Sequence, residues 1–158
     1  MLVDLEPGYE RLHIGDRIEA TTEWCRPEML PAELVSRDVA VQVERVAANR
    51  PGEYEWIAHS NDHVSALLPD WKESEGPATI SGCLMYDRYL HLFHQTVPTT
   101  CGRILRRALI TREANRNPAP HGGYSVDPSG PPTLTERVGV PADRTVTWHC
   151  VELDTDDE

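Results

Sequence analysis

Counting from Leu12, every second residue reads Leu12, Ile14, Asp16, Ile18, Ala20, Thr22 and Trp24, with Arg17, Glu19, Thr21 and Glu23 among the residues between them. A period of two belongs to extended chain, because successive side chains of a strand point to opposite faces. The pattern predicts a long first strand with one face on a core, and Gly15-Asp16 as a bend or bulge within it. The same period returns at Val39, Val41 and Val43, and again at Tyr54, Trp56 and Ala58, with Asn49-Arg50-Pro51-Gly52 as turn chemistry between them. Residues 39–58 therefore read as a hairpin. Helical signal is confined to Pro27–Arg37, two or three turns at most, with Pro31 in the first turn and Leu30, Leu34 and Val35 facing inward.

Farther along, Ser60–Gly76 carries turn residues around one apolar patch and reads as a structured loop or helical turn. Ala78–Phe93 reads as a core strand bent at Gly82. Arg103–Arg112 fits both a helical stripe and an alternating strand, and its strand neighbours favour the strand. Residues 117–132 hold five of the 13 prolines and three of the ten glycines, which predicts a loop with no regular ladder. Arg144–Leu153 is the last strand. A chain of 158 residues is one domain of ordinary size. The expectation is an all-β domain over 1–153, a small barrel of five or six strands or a sandwich with one or two short helices, followed by an acidic tail at 154–158. In architecture alone it resembles the Greek-key barrels of the oligonucleotide/oligosaccharide-binding type, and that likeness carries no functional weight.

Charge divides the chain more sharply than its net of −11 conveys. Residues 81–120 hold Arg88, Arg103, Arg106, Arg107, Arg112 and Arg116 against Asp87 and Glu113, whereas the flanking regions are strongly acidic. The acidic surroundings disfavour general affinity for nucleic acid or anionic lipid. No leader of the basic-then-apolar kind opens the sequence and no apolar run approaches the roughly 20 residues a spanning helix needs, so a cytoplasmic protein without membrane contact is expected. Cys25, Cys83, Cys101 and Cys150 are scattered without a C-x-x-C pair and read as free thiols.

No stretch is specific to a reaction. His59, Asp62 and His63, with the His91/His94 pair, are the strongest candidates for metal ligands, and the spacing alone is common; no cofactor is expected. Cys101, followed by Gly102 and Arg103, is the thiol best placed for nucleophilic work, with His91 or His94 as its base. The feature that stands out is an Arg/aromatic face made of Tyr86, Arg88, Tyr89, Arg103, Arg106 and Arg107, with Trp71 as an exposed anchor. Cations interleaved with aromatic rings suit an anionic partner. The expectation is a non-catalytic binding or assembly module that uses this face to contact an acidic protein surface or a second copy of itself. Its alternatives are a single-stranded nucleic-acid binder and a small metal- or cysteine-dependent enzyme.

Overall fold

Among the described residues the alternating segments pair into nine strands of one sheet. The computed structural model describes residues 1–3, 12–136 and 139–156. In chain order the strands are β1 (Leu2–Val3), β2 (Arg17–Cys25), β3 (Ser36–Ala47), β4 (Tyr54–Asn61), β5 (Val64–Leu67), β6 (Gly76–Tyr86), β7 (Thr99–Pro118), β8 (Tyr124–Glu136) and β9 (Arg144–Asp154). One four-residue helix, α1 (Leu90–Phe93), and 3-10 turns at Pro27–Met29 and Ala32–Leu34 interrupt them. The all-β class holds, and so does the hairpin: β3 and β4 pair antiparallel from Gln42↔His59 to Ala47↔Tyr54. The helix expected over Pro27–Arg37 is reduced to the two 3-10 turns.

The small barrel of five or six strands does not hold. The strands run in the order β2-β5-β4-β3-β6-β1-β9-β7-β8, with further pairings β2–β6, β2–β7 and β5–β7, and the result is not a clean barrel. The reason lies in β2, which changes partner along its length: residues 17–21 pair with β7, residues 22–25 with β6, and Glu23 also sits opposite Leu67 of β5. At this junction Thr22 and Thr100 are fully buried. Their hydroxyls lie 3.0 Å apart and both donate to the Ser65 carbonyl, while Ser65 Oγ donates to the Thr99 carbonyl. Buried hydroxyls are tolerated only when bonded, so this network fixes where three strands meet.

Three further expectations change. Strand β2 starts at Arg17 rather than Leu12, because Gly15 (φ 94°) turns the chain just before it. The apolar patch at Val64–Leu67 is strand β5, since residues 61–64 turn back tightly on β4. The proline-rich stretch 117–132 is mostly strand: β8 pairs with β7 from Pro118↔Tyr124 to Ala108↔Glu136. Its prolines are tolerated because β8 is the last strand in the order, where missing N–H groups on the outer edge break no ladder, and the register shift between Thr111 and Glu113 absorbs the Gly130-Pro131-Pro132 irregularity.

The even positions of β2 do face the core, with Ala20, Thr22 and Trp24 all buried. Trp24 belongs to a cluster with Val41, Val43, Ala58, Ala66, Leu68 and Ile80. Ala20 belongs to a second with Met1, Val3, Ile104 and Val151. Leu84 packs against both. The opposite face of β6 carries Cys83 into a third cluster with Leu2 and Ile110, covered by Leu30 and Leu34 from the 3-10 segment.

Candidate functional site

The Arg/aromatic residues do not form one face. Tyr86 ends β6 and packs its half-buried ring against the second cluster, so it offers no stacking platform. Arg88 and Tyr89 follow in the turn before α1, where the guanidinium bonds the Tyr89 hydroxyl and lies 4.6 Å from the ring centroid. Arg103, Arg106 and Arg107 are on β7, which meets β2 at Arg17↔Arg103. The Asp87 amide is bonded to the Thr21 carbonyl, and Thr21 lies four residues from Arg17 along β2. At about 3.3 Å per residue, the two groups of arginines stand roughly 13 Å apart.

Strand β9 sets its acids against the β7 arginines. Asp154 is opposite Arg103 and Glu152 is opposite Arg106, while Arg103 also donates to the Gly15 carbonyl at 2.9 Å. Opposite charges across a strand pair attract, which spends locally the positive field an acidic partner would need. Asp154, the first residue of the expected tail, thus meets the arginine patch within its own chain; Asp157 and Glu158 lie outside the described residues. Trp71 is half-buried against the first cluster, and its Nε1 is buried with no hydrogen-bond partner among the described residues.

Sequence reasoning missed a second grouping, because its members lie far apart in the chain. His94, at the end of α1, holds Glu55 of β4 through Nδ1 at 2.8 Å, and both side chains are mostly buried. The second Glu55 oxygen is buried with no hydrogen-bond partner among the described residues. Glu23 and Asp87 complete the group. Burial pushes the Glu23 carboxyl above its ordinary 4.5, the Asp87 charge adds to that, and His94 pulls it back. The Asn49 side chain donates to the Phe93 carbonyl, so α1 is fastened to the sheet while Tyr89, Leu92 and Phe93 stay exposed.

Glu23 carries a pH dependence. An acid whose pKa is raised in the folded state binds its proton more tightly folded than unfolded, so stability falls as pH rises from about 4.5 through the raised value. Glu23→Gln is therefore expected to raise the melting temperature near pH 7 and to give no such gain near pH 4, as read from thermal unfolding at the two pH values.

The third feature is the far end of the β7–β8 hairpin. Residues 113–118 pair with 124–129, and nearly all of them are exposed. Ala114, Arg116, Pro118, Tyr124, Val126 and Pro128 share one face; Glu113, Asn115, Asn117, Ser125, Asp127 and Ser129 share the other, where Asn117 donates to Asp127 at 2.6 Å. Arg116 is turned toward the Ala142 carbonyl at 3.2 Å. What remains outward on the first face is apolar, with Tyr124 71% and Val126 44% exposed. Alternation of Tyr124, Val126 and Pro128 was visible in the sequence, but the prolines masked it as loop.

The metal candidates are separated. His59 on β4 approaches Glu44 at 3.3 Å, Asp62 is exposed in the β4–β5 turn, and the His63 carbonyl accepts the Cys101 amide at 2.8 Å. No group of three or more His, Cys, Asp or Glu among the described residues is placed to hold a metal ion. Cys101 is half-buried on β7 opposite Glu19, and His94, one of its two candidate bases, is engaged by Glu55. A cavity of about 470 Å³ is lined by apolar groups including Trp24, Leu84 and Val151, with Arg106, Glu33 and Glu152 among its polar groups. Among the described residues no helix is long and apolar enough to cross a membrane. Comparison with family models, with curated proteins and with solved structures found no match.

Proposed function

We propose that the protein is a non-catalytic assembly module that associates with a second copy of itself through the apolar face of the β7–β8 arm. One observation carries this reading: the arm's face of Tyr124, Val126, Pro118 and Pro128 is exposed, with no cover among the described residues. A two-stranded hairpin exposed on both faces is marginal in water, and burying Tyr and Val against a partner supplies what it lacks.

Charge favours a second copy over a charged partner. Within 113–129, Arg116 stands against Glu113 and Asp127, so the arm carries a net charge of only −1 in a chain of net charge −11. Two copies meeting there avoid the repulsion that their acidic bodies would exert elsewhere. A two-fold contact sets the same patch against itself, Tyr124 and Val126 facing their counterparts. An acidic protein surface is the weaker occupant, because Glu152 and Asp154 already face the β7 arginines.

Hydrogen exchange tests the reading. Amides of residues 113–117 and of 124–129 other than Pro128 are expected to gain protection as protein concentration rises, while the β3–β4 hairpin is unaffected. Rates in the arm that are independent of concentration would remove the support for self-association.

A further inference from the structure

We infer that Cys25 and Cys83 form an oxidisable dithiol, a modification site that closes as a disulfide across β2 and β6. Cys25 and Cys83 are direct partners in the antiparallel register that runs Thr22↔Tyr86, Glu23↔Met85, Trp24↔Leu84 and Cys25↔Cys83. Directly opposed residues of such a pair have Cα atoms about 4.5–5.5 Å apart, inside the roughly 4.4–6.8 Å that a disulfide accepts. Their Cβ atoms, about 4.5–5.5 Å apart in general, need to close by about 0.7–1.7 Å to reach the mean disulfide separation.

The closure falls where both strands depart from a regular ladder. Cys25 is the last residue of β2, followed directly by the 3-10 segment, and Cys83 follows Gly82, whose φ of 148° marks an irregular point in β6. Both thiols lie on the side of the sheet that holds the third cluster, Cys83 buried and Cys25 packed half-buried at its edge, so Cys25 is the one a small oxidant reaches first. Burial pushes the Cys25 thiol up, and the neighbouring Cys83, Glu23 and Glu28 push it further. Reaction through the thiolate is therefore slow at neutral pH and accelerates in the alkaline range.

The oxidant class is a peroxide. The Cys25 thiolate attacks one peroxide oxygen, the O–O bond breaks, and a sulfenic acid forms with release of one water after proton uptake. The Cys83 thiol then attacks the Cys25 sulfur, the S–O bond breaks, and a second water leaves with the proton from Cys83. Two thiols lose two electrons and two protons, and the peroxide is reduced to two waters. The bridge ties β2 to β6 beside the point where β2 changes partners.

Hydrogen peroxide added to the reduced full chain, followed by alkylation, proteolysis and mass spectrometry, tests the assignment. The expected product is two hydrogens lighter, contains a fragment joining the Cys25 and Cys83 peptides, forms faster as pH rises, and melts several degrees higher than the reduced chain. Cys25→Ser and Cys83→Ser each lose the bridge, whereas Cys101→Ser keeps it. A bridge that joins Cys83 to Cys150, a bridge between two chains, or Cys25 and Cys83 remaining alkylatable after peroxide would each overturn the proposal. Because Cys→Ser puts a hydroxyl in place of the thiol, Cys25→Ala and Cys83→Ala are made beside the serine variants, and reduced variants that melt with the reduced wild type exclude misfolding as the cause of a lost bridge.

Discussion

Gly82→Ala is expected to lower the melting temperature by about 10 °C, the consequence of a loss of about 4 kcal/mol in a domain of this size. Gly82 has φ 148°, a backbone conformation that L side chains rarely adopt. A Cβ placed there would stand 2.2 Å from the Cys25 carbonyl oxygen and 2.6 Å from Trp24 Nε1. Neither neighbour can yield cheaply. The carbonyl is backbone at the end of β2, and the indole is held by its hydrogen bond to the Ser81 carbonyl at 3.0 Å within the first core cluster. Gly52→Ala supplies the comparison, because Gly52 also has positive φ (85°) but meets nothing within 4 Å. It is expected to cost only the backbone strain, about 1–2 kcal/mol. Thermal unfolding of the two variants side by side measures the difference, and equal losses would refute the close-approach account of Gly82.

The largest expected effect on association comes from Tyr124→Asp combined with Val126→Asp. Both side chains are exposed in the single chain, so the double variant should melt with the wild type at low concentration. In the assembled form four carboxylates would replace four apolar side chains at the contact. Losing about 1.5–3 kcal/mol for each of the four buried side chains weakens the dimer by at least about ten-thousandfold in Kd. Sedimentation velocity across a concentration series reads this directly. A variant that associates as tightly as the wild type places the contact elsewhere, with the exposed Leu92 and Phe93 of α1 as the next surface to alter.

Much of the strand content was legible in the sequence because period two survives wherever one face is buried. Ile18, Ala20, Thr22 and Trp24 point inward as their spacing requires, and the 39–58 hairpin is where Val39, Val41 and Val43 place it. The stretch Arg103–Arg112 resolves as strand because β9 pairs along it while β2 takes its other edge at Arg103 and β8 from Ala108 onward. What the residues could not state was pairing. Nothing in Arg17–Cys25 says that its first half meets β7 and its second half β6, and that change of partner is what prevents a clean barrel. Prolines at 128, 131 and 132 argue against a strand until the stretch is known to be an edge.

The same limit applies to the sites. Tyr86, Arg88, Arg103 and Arg106 are close in sequence, yet the fold sends Tyr86 toward the core, holds Arg88 on Tyr89 and sets Arg103 and Arg106 against the acids of β9. The Glu23, Glu55, Asp87 and His94 group gathers residues up to 71 positions apart, as Glu23 and His94 show by their numbers, and no local spacing announces it. Cys25 and Cys83 looked scattered because only the strand register makes them neighbours.

The central claim, that the weakly charged arm joins two copies, is tested most directly by sedimentation velocity of the wild-type protein at micromolar concentration in about 50 mM and about 500 mM salt, conditions that change the screening length roughly threefold. The account predicts a species of twice the chain mass in both, because an apolar contact is not weakened by screening and relieving repulsion between acidic bodies strengthens it. A monomer at every concentration, or a dimer that falls apart in high salt, would contradict it.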